Sequence, residues 1–378
     1  MCLPSQLRGE EARRHATATR RKHAVPSFNK MLNPPGLAEA LDRLPKVELH
    51  CHVEGTMRAT TVAELAAKNG VALPVADPAE LFRYDSLQGF LEVFWLVQSV
   101  LADPDDWARL AYESVLDGAA HGLAYRESFF TPARHLAAGQ RLADIVAGLD
   151  RGFADAATAT GVEVNLICDF DRDFGPGAAV DLAAMLADLR RSGAPGSERV
   201  IGVGYDSTEI GQDPAGYADA FALAARAGFR RTAHQGENSG PDAIALCVDV
   251  LGAERIDHGM SILDSPELTA RFADERIPLT VCPNSNIRIA NAFPTLADHV
   301  YPAMRSAGLL ATLNTDDPAL TDLDLGYEYA SVAEAFGWGW DDMVAIALDG
   351  VDACWLDPDG KTGLRARIAA AATTLRPS

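Results

Sequence analysis

A chain of 378 residues that is 48% hydrophobic holds ample material for one large core or two average domains. Its 33 basic and 53 acidic residues leave a net charge of -20, which argues against nucleic-acid backbones and anionic membranes as partners, because both want clustered Lys and Arg. No apolar run approaches the ~20 residues of a membrane span. No secretory signal stands out, and the six cysteines show no CxxC spacing, so the expected setting is reducing and cytoplasmic.

Residues 1–34 carry seven Lys/Arg against two Glu and little apolar periodicity. They read as a disordered basic extension or a misassigned start; an Arg-rich opening also suits a transit peptide. Residues 35–378 read as a single domain. Apolar β-type runs recur along it at 46–52, 123–130, 163–170, 199–206, 229–236, 254–259, 278–285 and 309–317, with amphipathic stretches such as 142–161, 179–193 and 241–252 between them. Strand–helix alternation predicts a parallel sheet. Eight units without a Gly-rich dinucleotide loop after the first strand favour a (β/α)8 TIM-type barrel over a doubly wound sheet. About 70 residues are inserted between strands one and two. Within them "SLQGFLEVFWLVQSVL" (86–101) predicts a helix, either a lid over the barrel mouth or a helix packed on its wall, with Phe90, Phe94 and Trp95 as its aromatic face.

The strand ends carry the chemistry, since a barrel of this kind places its site at the C-terminal ends of its strands. The first strand ends in "LHCHVEG", where His50 and His52 are two apart and share the interior face. The fifth ends in His234 with Glu237 beyond it, the sixth in Asp257 and His258, and the eighth in Asp316 and Asp317. His50, His52, His234 and Asp316 are therefore the candidate metal ligands. Imidazole and carboxylate suit a catalytic zinc with one open position, and they also suit iron, nickel or manganese. His258, on the neighbouring strand, is placed to take or orient a proton of the water. Glu237, if kept protonated by burial, can donate to a leaving group or ring nitrogen. Asp317 faces differently from Asp316 and can accept a hydrogen bond from substrate. "CPNSN" (282–286) is read as holding the loop after strand seven through its Asn and Ser side chains.

"PKVELHCHVEG", "HQGEN", "RIDHG", "CPNSN" and "NTDDP" stand in the order and near the spacing of the motif series of the adenosine deaminase family, within the metal-dependent amidohydrolase superfamily, and the chain resembles that family from Leu44 to Tyr329. The resemblance implies one zinc per chain, held by His50, His52, His234 and Asp316. It implies a proton donor at Glu237, a water-orienting His258 and a purine N7 contact at Asp317. The implied reaction is hydrolytic deamination of a small-molecule 6-aminopurine: a zinc-activated water attacks C6, Glu237 protonates N1 and ammonia leaves. The PCxxC element of the cytidine-deaminase type is absent. No Lys stands at a strand end to bridge two metals, which argues against a two-metal hydrolase.

Two positions depart from the adenosine enzymes. Glu54 replaces the Asp of their "HLDG" string, which helps bind ribose. "YDSTEIG" places Glu209 where they resemble "DLAGDE", and is closer to the "DSSEVG" of adenine deaminases. Glu54 is expected to reach a ribose hydroxyl, and Glu209 to narrow the pocket or accept a hydrogen bond near N3 or N9. On balance the sequence sets adenosine to inosine first. The alternative is adenine to hypoxanthine, or a modified adenine or adenosine; a further alternative is another mononuclear amidohydrolase.

Overall fold

The computed structural model describes residues 36–84 and 87–377; the basic stretch 1–34 lies outside them. Eight parallel strands follow one another in chain order around a single sheet: β1 (Lys46–Glu48), β2 (Leu123–Phe130), β3 (Glu163–Asp171), β4 (Val200–Asp206), β5 (Arg230–Gln235), β6 (Arg255–His258), β7 (Leu279–Val281) and β8 (Ala311–Leu313). The barrel closes just past β1 and β8, where Cys51 pairs with Asp316. His52 N–H donates to Asp316 O at 2.9 Å, and Asp316 N–H donates to His50 O at 3.1 Å.

The helices between the strands follow from apolar spacing. In Leu142–Thr160 the buried Leu142, Ile145, Val146, Leu149, Phe153 and Ala156 form one stripe, and Gly161 in the left-handed region stops the helix. Burying each large side chain of that stripe contributes about 1.5–3 kcal/mol. The helix packs on Pro104–Ala120, which opens with Pro104 at its first position and a reciprocal Asp103/Asp106 cap. Deeper in the barrel Arg255 on β6 donates to Glu127 on β2 at 2.7 Å and lies over the Trp355 ring at 4.1 Å, a paired charge in an otherwise closed interior.

The first, seventh and eighth strands are much shorter than expected. After Val281, Pro283 lacks an N–H for the ladder and instead begins the helix Pro283–Arg288. After Leu313 the Asn314 side chain accepts from Leu49 N–H at 2.8 Å, and Asp316 adopts a positive φ of 68°. Along the first strand the regular ladder ends at Glu48, and His50 to His52 continue it only through single bridges. The stretch 241–252 is helical to Leu246 and continues as a π-turn over Cys247–Leu251. The insertion supplies the helix Leu87–Ser99. Its Phe90 and Phe94 are buried, stacked at 5.7 Å, and cluster with Ile289 and Leu320. Phe90, Phe94 and Trp95 line the cavity at the barrel mouth, so this helix roofs the site. Trp95 is held by Arg134, whose guanidinium lies 4.1 Å from its ring centre.

Candidate active site

All four histidines expected at the mouth are buried there with Asp316 and Asp317. The seam between the first and last strands places His50, His52 and Asp316 side by side, and β5 adds His234. Their donor atoms crowd together. His234 Nε2 lies 2.9 Å from His50 Nε2 and 3.1 Å from His52 Nε2. Asp316 Oδ1 lies 3.1 Å from His50 Nε2 and 3.3 Å from His52 Nε2.

Thr280 fixes the state of His50. Its hydroxyl gives its hydrogen to Asp257 Oδ1 at 2.7 Å, so its oxygen and its carbonyl can only accept from His50 Nδ1, at 3.0 and 3.1 Å. His50 Nδ1 is therefore the donor to Thr280, and Nε2 is the nitrogen left to face the group. Lone pairs converging at such distances repel unless a cation lies between them. A tetrahedral site with arms of about 2.0–2.1 Å has edges of about 3.3–3.4 Å, close to the separations here. The residues fit a single divalent ion. A second, overlapping group replaces His52 and His234 by His258 and Cys282.

Glu237 and His258 face the same centre and are joined by Asn286, whose Nδ2 lies 2.9 Å from Glu237 Oε1 and 3.1 Å from His258 Nδ1. Burial, then the charges of Asp316 and Glu209, push the Glu237 carboxyl up to about 8, so at neutral pH it is an acid with a proton to give. Burial, then His50, pushes His258 down to about 3, which keeps it neutral. His258 and Asp316 both have positive φ, 64° and 68°, a conformation that costs a non-glycine residue roughly 1–3 kcal/mol and clusters at functional sites. Asp317 is buried, and its Oδ1 finds no partner among the described residues. Burial, then Asp316, raises its carboxyl well above the usual range. Gly55 is required beneath it, since a Cβ there would stand 1.9 Å from Asp317 Oδ1 and 2.8 Å from its Cα.

Of the two departing acids, Glu54 leaves the cavity and Glu209 stays at its edge. Glu54 is fully buried, does not line the cavity, and accepts from Thr131 N–H at 3.0 Å. Glu209 borders the cavity, but its oxygens are already engaged. Oε1 accepts from Glu237 N–H at 3.0 Å. Oε2 accepts from Gly236 N–H and Asn238 N–H, both at 3.1 Å, and from Ser239 Oγ at 2.5 Å. Gly236 turns these amides toward the carboxylate with φ 83°, and a Cβ there would meet Ile244 Cδ1 at 2.5 Å. Glu209 thus holds the loop that carries Glu237.

Sequence reading missed Arg172, which follows β3. Its guanidinium donates to the carbonyls of Asp206 (2.7 Å), His234 (2.9 Å) and Ser207 (2.7 Å) and so ties the ends of three strands together. Its only signal was a charged residue just past a predicted strand. The "CPNSN" side chains hold more than their own loop: Ser285 Oγ donates to Asp316 Oδ2 at 2.6 Å, and Asn286 meets both Glu237 and His258.

With this geometry in place, comparison with known proteins is direct. The adenosine deaminase family profile matches residues 45–371. The chain belongs to the adenosine deaminase family. It is 39% identical over 335 residues, 88% of its own length and 96% of the relative's, to an adenine deaminase of Streptomyces coelicolor. Its fold matches the crystal structure of an adenine deaminase from Arthrobacter aurescens with a TM-score of 0.82 and 30% identity, over 87% of this chain and 99% of the other. It also matches an amidohydrolase from Burkholderia ambifaria with bound zinc, at a TM-score of 0.84 and 32% identity, over 92% and 96% of the two chains. Membership makes the chain a deaminase of the hydrolase class, and its barrel is the TIM-type barrel expected from the strand count. Among the described residues no helix is long and apolar enough to cross a membrane.

Proposed function

We propose that the chain hydrolyses adenine to hypoxanthine and ammonia with the help of one zinc ion. His50, His52, His234 and Asp316 would hold the ion, and when bound it supplies a water with its pKa lowered towards ~7. The chain's residues do the rest. Glu237 donates its proton to N1 of the ring, which makes C6 electrophilic. Asp317, expected from the sequence to accept from substrate, is instead kept protonated by burial, then by Asp316, and donates to the N7 lone pair. His258 orients the attacking oxygen. A C6–O bond forms and the C6–N bond breaks. Of the two hydrogens the water brings, one leaves on ammonia and the other ends on N1, passed through Glu237.

The order of substrates drawn from the sequence is thereby reversed. The observation that carries the change is Glu54. The acid expected to reach ribose is turned into the protein: Oε1 accepts from Thr131 N–H, Oε2 is buried without a partner among the described residues, and the side chain does not line the cavity. The names of the relatives, adenine deaminases at 39% and 35% identity, support the same choice. A cytoplasmic setting accords with free, buried thiols at Cys51, Cys168, Cys247, Cys282 and Cys354. The test is a side-by-side assay of ammonia release from adenine and adenosine by zinc-loaded protein. We expect kcat/KM for adenine to exceed that for adenosine by about 100-fold or more, about 2.7 kcal/mol in transition-state binding. Equal values, or a preference for adenosine, would restore the nucleoside reading.

A further inference from the structure

A line of hydrogen bonds behind the site settles which nitrogen of His258 carries the proton. It starts at Tyr301, whose backbone N–H donates to His299 Nδ1 at 3.0 Å, so that nitrogen is bare. His299 is buried, and burial holds it down at about 4. The ring is neutral, and its one proton sits on Nε2. Nε2 stands 3.2 Å from Asn286 Oδ1 and donates to it. The Asn286 amide is thereby oriented with Oδ1 toward His299 and Nδ2 toward the site. The two hydrogens of Nδ2 have two acceptors, Glu237 Oε1 at 2.9 Å and His258 Nδ1 at 3.1 Å. A proton on His258 Nδ1 would oppose one of those hydrogens. Glu237 Oε1, 3.8 Å away, is too distant to accept it instead. Rotating the amide would suit a protonated Glu237, but it would set the amide N–H against the N–H of His299. The anchored histidine forbids the rotation.

We propose that His299 and Asn286 are positioning residues that hold His258 as its Nε2–H tautomer, so that His258 gives a hydrogen bond to the attacking oxygen and does not serve as the base that deprotonates it. The catalytic half of this statement rests on the proposed deamination; the tautomer does not.

The test uses the full-length, zinc-loaded chain with 15N-labelled imidazoles. In the wild type the His258 Nδ1 resonance, identified by its loss in His258→Gln, is expected at an unprotonated-type shift. His299→Leu frees the amide. The resonance should move toward the protonated type, and kcat on adenine should fall about tenfold or more while KM stays within about twofold. His299→Gln keeps an N–H donor at the position of Nε2, so it should retain the tautomer and a kcat within about threefold of wild type. A protonated Nδ1 in the wild type overturns the proposal, as does a His299→Leu protein with unchanged resonance and kcat. A His299→Gln protein as impaired as His299→Leu reduces His299 to packing and also overturns it. If His299→Leu does not fold, the wild-type spectrum and His299→Gln decide alone. A wild type that shows the tautomer but leaves adenine intact refutes the deamination reading and spares the tautomer.

Discussion

Glu237→Gln is expected to lower kcat on adenine by about 10²–10⁴-fold, the range that positioned proton transfer contributes, with bound metal unchanged and KM within a few-fold. The glutamine keeps the size of the side chain and its place beside Asn286. It can still hydrogen-bond N1, but it has no proton to release. The pH dependence follows from the same carboxyl. Its pKa in the free protein is pushed up to about 8 by burial, then by Asp316 and Glu209. The protonated form is the working form, so kcat/KM is full below that value and falls as pH rises through it. The residual activity of the Gln variant should lack this alkaline limb. His258, pushed down to about 3, stays neutral through the working range and adds no limb of its own. An active Gln variant with the wild-type pH profile would remove Glu237 from the proton-donor role.

Asp316→Ala is expected to weaken metal binding by more than about 100-fold and to take deamination below detection. Asp316 supplies the one anionic oxygen in the group, 3.1 Å and 3.3 Å from two imidazole nitrogens. Without it three neutral rings must hold a dication alone. Ser285→Ala is the graded control. It removes only the hydroxyl that donates to Asp316 Oδ2, and losing such an outer partner costs about 10–100-fold in metal affinity or activity. Metal content by elemental analysis and zinc affinity by competition read both effects. Asp316→Ala protein that keeps a full complement of metal would contradict the ligand assignment.

The barrel and the convergence of its four candidate ligands were legible in the sequence because both rest on short-range rules. Strand alternation fixes that His50 and His52 share a face, and the site lies where strands end, so the residues at the ends of β5, β6 and β8 could be gathered without coordinates. The limits of β7 and β8 were harder to read. Pro283 can sit in an edge strand or open a helix, and only the helix that follows decides between them. Glu54 and Glu209 illustrate a second limit. Both were read as facing substrate from their places in the motif strings of the family. Whether a carboxylate faces the cavity or the backbone depends on where neighbouring amides point. Gly236 in the left-handed region turns the N–H groups of 236, 237 and 238 toward Glu209, and Thr131 N–H captures Glu54 from a different strand end. Arg172 is of the same kind: its three carbonyl partners come from two other strand ends, which no local pattern reveals.

The most direct measurement is a calorimetric titration of chelator-treated, full-length protein with zinc, with adenine deamination followed in parallel. Convergence of His50, His52, His234 and Asp316 on one ion predicts a single site per chain and activity that returns in proportion to its filling. Two ions per chain, or full deamination by the stripped protein, would contradict it.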